Sequence, residues 1–278
     1  MSAVSNLNKA RTIWGELMAV ASGAMGMAIV GGIAAVWALV EWIGRRYQRL
    51  GTVRARMETA RRWLAGLARL APGTLVYIAI LTVTVSEQAR LSTRLATVLA
   101  RQNSTNVNLL FSRPFDVLTA SAFWLDNAGW DAVGVLIQFA MVMALLEVSV
   151  GTGRWLLTIV AGHVGASVIV GFGLWLGIHH HWIAARVARS TDVGISYGLT
   201  AATIVLILGL RGRWRVVLLL AVAARLLSGL VFSASFTDVG HLLSALLGTT
   251  AYLAFGRPHL HPLRSLPKRT TTPTPISG

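Results

Sequence analysis

Residues 130–149 read WDAVGVLIQFAMVMALLEVS, and residues 155–177 read WLLTIVAGHVGASVIVGFGLWLG. At about 1.5 Å of rise per residue, a run of about 20 residues makes a helix about 30 Å long, the thickness of a bilayer's hydrocarbon core. Neither run alternates apolar and polar residues, so neither reads as a barrel strand. In hydrocarbon the backbone must satisfy its own hydrogen bonds, and a helix does this within one segment. The reading is two transmembrane helices joined by a short turn, Val150-Gly151-Thr152-Gly153-Arg154.

Five more apolar blocks flank this pair at 17–43, 70–86, 193–210, 216–233 and 238–256, and the block at 70–86 stops at Ser86-Glu87-Gln88. Over 278 residues the chain is 55% hydrophobic and 13% charged, with a mean hydropathy of +0.65. Soluble domains carry about 25% charged residues, so a soluble globular enzyme and a disordered chain are both excluded. There is no cysteine, which removes disulfides, thiolate metal sites and a cysteine nucleophile. Lysine occurs only at Lys9 and Lys268 among the 25 basic residues, an arginine bias read as bacterial. The fold class expected is all-α, a polytopic transmembrane helical bundle.

The net charge of +15 sits between the apolar blocks, which points to membrane orientation and away from nucleic acid. Residues 44–70 hold Arg45, Arg46, Arg49, Arg54, Arg56, Arg61, Arg62 and Arg69. Placing them in the cytoplasm also puts Arg154, Arg211, Arg213, Arg215 and the basic tail there, and leaves 87–129 outside. Arg45 to Leu70 also reads as an amphipathic helix along the inner leaflet, with a plain orientation anchor as the simpler alternative. The first span is too long for a signal peptide and lacks a clear small-residue cleavage site, so it is expected to stay as a helix. Three parts follow: 1–69, an N-terminal transmembrane helix and basic cytoplasmic segment; 70–256, a six-helix core; and 257–278, a disordered basic tail. The expected location is the cell membrane, multi-pass.

Polar groups within spans are costly and need a reason. Ser196 lies about one turn inside the fifth span and His241 about one turn inside the seventh, both entered from the same face. Equal depth on two helices permits a nucleophile–base pair, the imidazole taking the hydroxyl proton. Gly194 and Gly198 flank the serine, and Gly240, Ser244 and Gly248 form a small-residue stripe beside the histidine. Such residues allow close helix approach, which serves a dyad or plain packing equally.

Taken together these stretches resemble the rhomboid family of intramembrane serine proteases. Glu147 with Gly151-Thr152-Gly153-Arg154 resembles the glutamate and Gly-[Ser/Thr]-Gly-basic turn that ends the family's second core helix. Gly194-Ile195-Ser196 is similar to its Gly-x-Ser motif, and Gly240-His241 with Ser244 and Gly248 to its last-helix histidine. Leu118-Thr119-Ala120-Ser121-Ala122-Phe123 resembles the segment leading from the first external loop into the second core helix. The resemblance covers about 70–256 and implies a rhomboid-like six-helix core plus one extra N-terminal helix, with Ser196 and His241 catalytic. It implies structural roles for Glu147, Gly151, Gly153, Arg154, Ser244 and Gly248. The chain departs from the family's His-x-x-x-Asn oxyanion pattern, having Asp131 and Val135 there. The bulky Tyr197 follows the serine. Oxyanion or cleft candidates are therefore Tyr197, Gly194, Asp131 and the main-chain N–H groups at 196 and 197.

Arg225, mid-span, is expected to face the bundle and meet a carboxylate such as Glu147 or backbone carbonyls. His163 reads as a packing histidine, and Asp192 and Asp238 as helix N-caps. His179-His180-His181 is not expected to bind metal, while Trp175 and Trp182 read as interface anchors. Ala89–Arg101 is expected to lie on the bilayer surface. No phosphate loop or zinc signature is present, so no cofactor and no metal are expected. Two functions remain: an intramembrane serine endopeptidase cleaving transmembrane substrates, or an inactive relative (a pseudoprotease) binding transmembrane helices or lipids. A transporter is disfavoured for want of an inverted repeat. Geometry discriminates the two: a dyad needs Ser196 Oγ within about 3.2 Å of a His241 nitrogen, and a Tyr197 ring between them counts against catalysis.

Overall fold

The computed structural model describes residues 68–125, 131–233 and 235–255, together with Glu58, Ala65 and Gly66. The chain divides into two compact units, Met1–Leu67 and Ala68–Gly278, and almost every described residue belongs to the second. The span at 17–43, most of the arginine-rich stretch after it and the tail 257–278 lie outside the described residues.

The described residues are helical, with no strand among them. Helix α1 (Pro72–Gln88) opens on a proline, whose missing N–H costs nothing at a helix start. Three short helices follow: α2 (Thr93–Gln102), α3 (Val107–Ser112) and α4 (Pro114–Ala122). Ser92 caps α2 and Asn106 caps α3, each accepting a backbone N–H three residues on. Helix α2 buries none of its residues, as expected of an element lying on a surface. Then come α5 (Asp131–Val150), α6 (Thr152–Val160) and α7 (Ala166–His179). A π-helical turn at Ala161–Gly165 makes α6 and α7 one continuous rod. Helices α8 (Ser196–Gly209), α9 (Arg213–Ser228, extended by a π turn to Ser233) and α10 (Phe236–Ala254) complete the bundle.

Each apolar block expected between 70 and 256 is thus a helix. Three are long and apolar enough to cross a membrane: Ala132–Val150, Thr152–His179 and Arg213–Phe232. Helix α8 is apolar but shorter, and begins at Ser196, so Ser196 stands at the start of its helix and not a turn inside it.

The core lies where α1, α5, α6 and α8 meet, around the fully buried Leu81, Phe139, Met143, Leu146 and Val205. Tyr77 stacks at a tilt on Phe123 and Phe139 and donates its hydroxyl to Ala122 O at 2.6 Å. Lipid tails are as apolar as these side chains, so close packing and interhelical hydrogen bonds must hold the bundle. Glu147 supplies several at once. Fully buried at the end of α5, it accepts from Gly73 N at 2.8 Å, Thr74 N at 2.7 Å and Thr152 Oγ1 at 2.8 Å. Ala71, which precedes α1, offers no side-chain cap, so Glu147 caps α1 from 73 residues away.

Gly151 has φ +83, the left-handed conformation that turns the chain from α5 into α6. Gly153 is exposed with open space around it, and Arg154 places its guanidinium 5.6 Å from the Phe255 ring centroid.

Arg225 departs from expectation. It is exposed, on a helix that buries none of its residues, and no ion pair or hydrogen bond engages its side chain among the described residues. Glu147, its proposed partner, is taken by α1. Hydropathy located the span of α9 but carries nothing about its rotation, because its apolar residues surround it evenly enough to permit either face.

Candidate functional site

The loop entering α8 bends at Gly194, whose φ of +106 suits glycine and whose N–H donates to Ser121 O at 2.9 Å. The chain then enters α8 at Ser196. Ile195 stands at the cap position without a side-chain hydrogen bond, so the first N–H groups of α8 have no intrahelical acceptor. On α10 the N-cap is Ser235. Its Oγ accepts from Asp238 N, and Asp238 Oδ2 accepts from Ser235 N at 3.1 Å, a reciprocal capping box. Asp238 is therefore the third residue of the box and not the cap, which the Ser-x-x-Asp spacing itself encodes.

The small-residue stripe of α10 faces α8 at all three positions. A Cβ on Gly240 would overlap the Tyr197 hydroxyl and ring. Ser244 Oγ donates to Tyr197 O. A Cβ on Gly248 would meet the backbone of Ala201 at 2.6 Å. Gly162 of the π turn closes on the same place, facing Ala201 and Ser244. Three helices therefore meet with almost no side chain between them just inside Ser196 and His241.

At the mouth of this junction the Tyr197 ring meets the His241 ring edge to face, with centroids 5.1 Å apart. Ser196 and His241 are both partly exposed. No hydrogen bond joins them, and neither Ser196 Oγ nor a His241 ring nitrogen has a hydrogen-bond partner among the described residues. The distance a working dyad needs is thus not present in this arrangement.

Tyr197 is committed elsewhere. Its hydroxyl donates to the Asp192 carboxylate, 3.2 Å from each oxygen, so it is not a free donor for an oxyanion. Asp192 is not the cap of α8. Thr105 donates to it from both its N–H, at 2.9 Å to Asp192 O, and its hydroxyl, while Ser104 Oγ accepts Asp192 N at 2.7 Å. Asp192 therefore ties the α2–α3 connection to the entry of α8. Burial pushes its carboxyl up to about 6, against the lowering effect of the Tyr197 and Thr105 hydroxyls. The roles of Ser104 and Thr105 were missed in the sequence, where nothing marks contacts 87 residues distant.

Asp131 is the first residue of α5 and Val135 lies one turn on, partly exposed. His163 is the packing histidine expected, its Nε2 3.1 Å from Ser121 Oγ and 3.0 Å from Leu118 O. Among the described residues no group of three or more His, Asp or Glu side chains could hold a metal.

A helical bundle with a glutamate-held turn, a Gly-x-Ser helix start and a histidine on the facing helix defines a rhomboid-like membrane protein. The family model described as rhomboid-like protein matches residues 66–259, and the chain belongs to that family. Comparison with curated proteins and with solved structures gives no match.

Proposed function

We propose that the protein is a multi-pass intramembrane serine endopeptidase of the cell membrane, with Ser196 as nucleophile and His241 as its base. The observation that carries this reading is the Tyr197–His241 ring contact. It holds the imidazole against the first turn of α8, one residue from Ser196, with both ring nitrogens and the serine hydroxyl uncommitted. His163 commits its Nε2 to Ser121 and Leu118, whereas no described group binds either ring nitrogen of His241. In the reaction a rotation of either side chain closes the Ser–His hydrogen bond, since catalytic hydrogen bonds often tighten only when substrate binds. Ser196 Oγ then attacks a peptide carbonyl, and His241 takes the proton and later returns it to the leaving amine. The free N–H groups at the start of α8 face the developing oxyanion, a role that Tyr197, bound to Asp192, does not fill.

The substrate on this reading is another transmembrane helix, unwound near the face where α8 and α10 begin, with membrane lipids around it and no nucleic acid involved. The arginine placement puts that face outside.

A second reading is a helix-binding relative without activity. The absent Ser196–His241 bond, and Asp131 and Val135 in place of oxyanion donors, favour it. A fluorophosphonate probe on the purified protein separates the two. Labelling that vanishes in Ser196→Ala supports the peptidase; equal background in both folded proteins supports the binding role.

A further inference from the structure

Between α2–α3 and the 3₁₀ turn at Ala185–Arg189 the structure holds a cavity of about 640 Å³, open to solvent. Arg101, Arg186 and Arg189 line it, with Gln102, Asn108 and Ser190 between them and no acidic side chain. None of these six side chains makes a hydrogen bond or ion pair among the described residues. Three arginines without a described protein partner line one hollow, and their shared positive charge favours an anion there.

The surroundings of the cavity suit a membrane interface. Helix α2, which forms one wall, exposes Leu95 and Val98 and buries nothing. Trp182, just ahead of the other wall, is 77% exposed, and its ring stacks on His180. An amphipathic helix and an exposed tryptophan beside the cavity are features of a bilayer's headgroup zone.

We propose that this cavity binds the phosphate of an anionic phospholipid headgroup, with Arg101, Arg186 and Arg189 as its ligands. Arginine suits phosphate oxygens through its planar fork of donors, and Gln102, Asn108 and Ser190 supply neutral donors beside it. The site is separate from Ser196 and His241 and does not depend on the protein being a peptidase. It does adjoin the catalytic side of the fold, because Ser190 and Thr191 lead directly into Asp192. An occupied cavity would clamp α2 against that segment and steady the entry to α8.

The test is native mass spectrometry of the full chain in detergent, titrated with phosphatidylglycerol or with diacylglycerol of the same acyl chains. Phosphatidylglycerol is expected to bind and diacylglycerol not. Arg101→Gln/Arg186→Gln/Arg189→Gln should weaken phosphatidylglycerol binding about tenfold or more. Arg211→Gln/Arg213→Gln/Arg215→Gln, which removes equal charge elsewhere, should not. All six arginines are exposed, so both variants are expected to fold, and circular dichroism confirms this. Equal phosphatidylglycerol binding by the two variants overturns the site. Displacement of the lipid by an equal concentration of inorganic phosphate, or preferential binding of an oligoglutamate peptide, overturns the lipid as its occupant.

Discussion

Asp192 and Glu147 are both buried carboxylates, yet the structure treats them differently. Glu147 receives two helix-start N–H groups and a hydroxyl. Glu147→Ala leaves those donors without an acceptor in a buried place, and the expected loss is about 3 kcal/mol or more in unfolding experiments in detergent. Asp192 receives hydroxyls and is raised to about 6 by burial, so its protonated form suits the fold. The unfolded chain releases that proton near pH 4 and the folded one near 6. Stability should therefore fall as pH rises between those values, by roughly 3 kcal/mol, and stay level above. Asp192→Asn keeps an acceptor for Tyr197 and should flatten that slope when thermal unfolding is followed from pH 4 to 7. An unchanged slope would assign the titration to another group. The sequence marked Glu147 through the local turn that follows it, but not its bonds to Gly73 and Thr74, which come from another segment just as Thr105 does for Asp192.

Helices were the most legible level, because a 20-residue apolar block leaves the backbone few alternatives to a helix. Rotation was less so. The stripe Gly240, Ser244 and Gly248 declared its face because three small residues at a spacing of four must lie together, and that face meets α8. Arg225 declared nothing of the kind, and its side chain is exposed on α9. At Gly248 the obstacle is the backbone of Ala201, which cannot rotate away as a side chain can. Gly248→Ala should cost about 1–3 kcal/mol by forcing α8 and α10 apart, while Gly153→Ala, with open space around it, should cost well under 1 kcal/mol. Thermal unfolding of the two variants side by side checks this.

At the scale of the whole bundle, the α1–α5 connection meets the α7–α8 loop through Thr105 and Asp192, while the α5–α6 turn meets the start of α1 through Glu147 and the end of α10 through Arg154 and Phe255. The chain has no cysteine, so single ones can be introduced cleanly. An impermeant maleimide applied to intact cells should label Asn103→Cys and Ser190→Cys, and spare Gly153→Cys and Arg211→Cys. The reverse pattern would invert the orientation that the arginines imply. We propose that Ser196 and His241 work together although no hydrogen bond joins them at rest. The most direct test is the rate at which a fluorophosphonate modifies Ser196 in the wild type and in His241→Ala. A functioning base contributes about 10²–10⁴-fold, so the variant should react at least a hundredfold more slowly. Equal rates in the two proteins would show that His241 is not the base of Ser196, and the peptidase reading would fall.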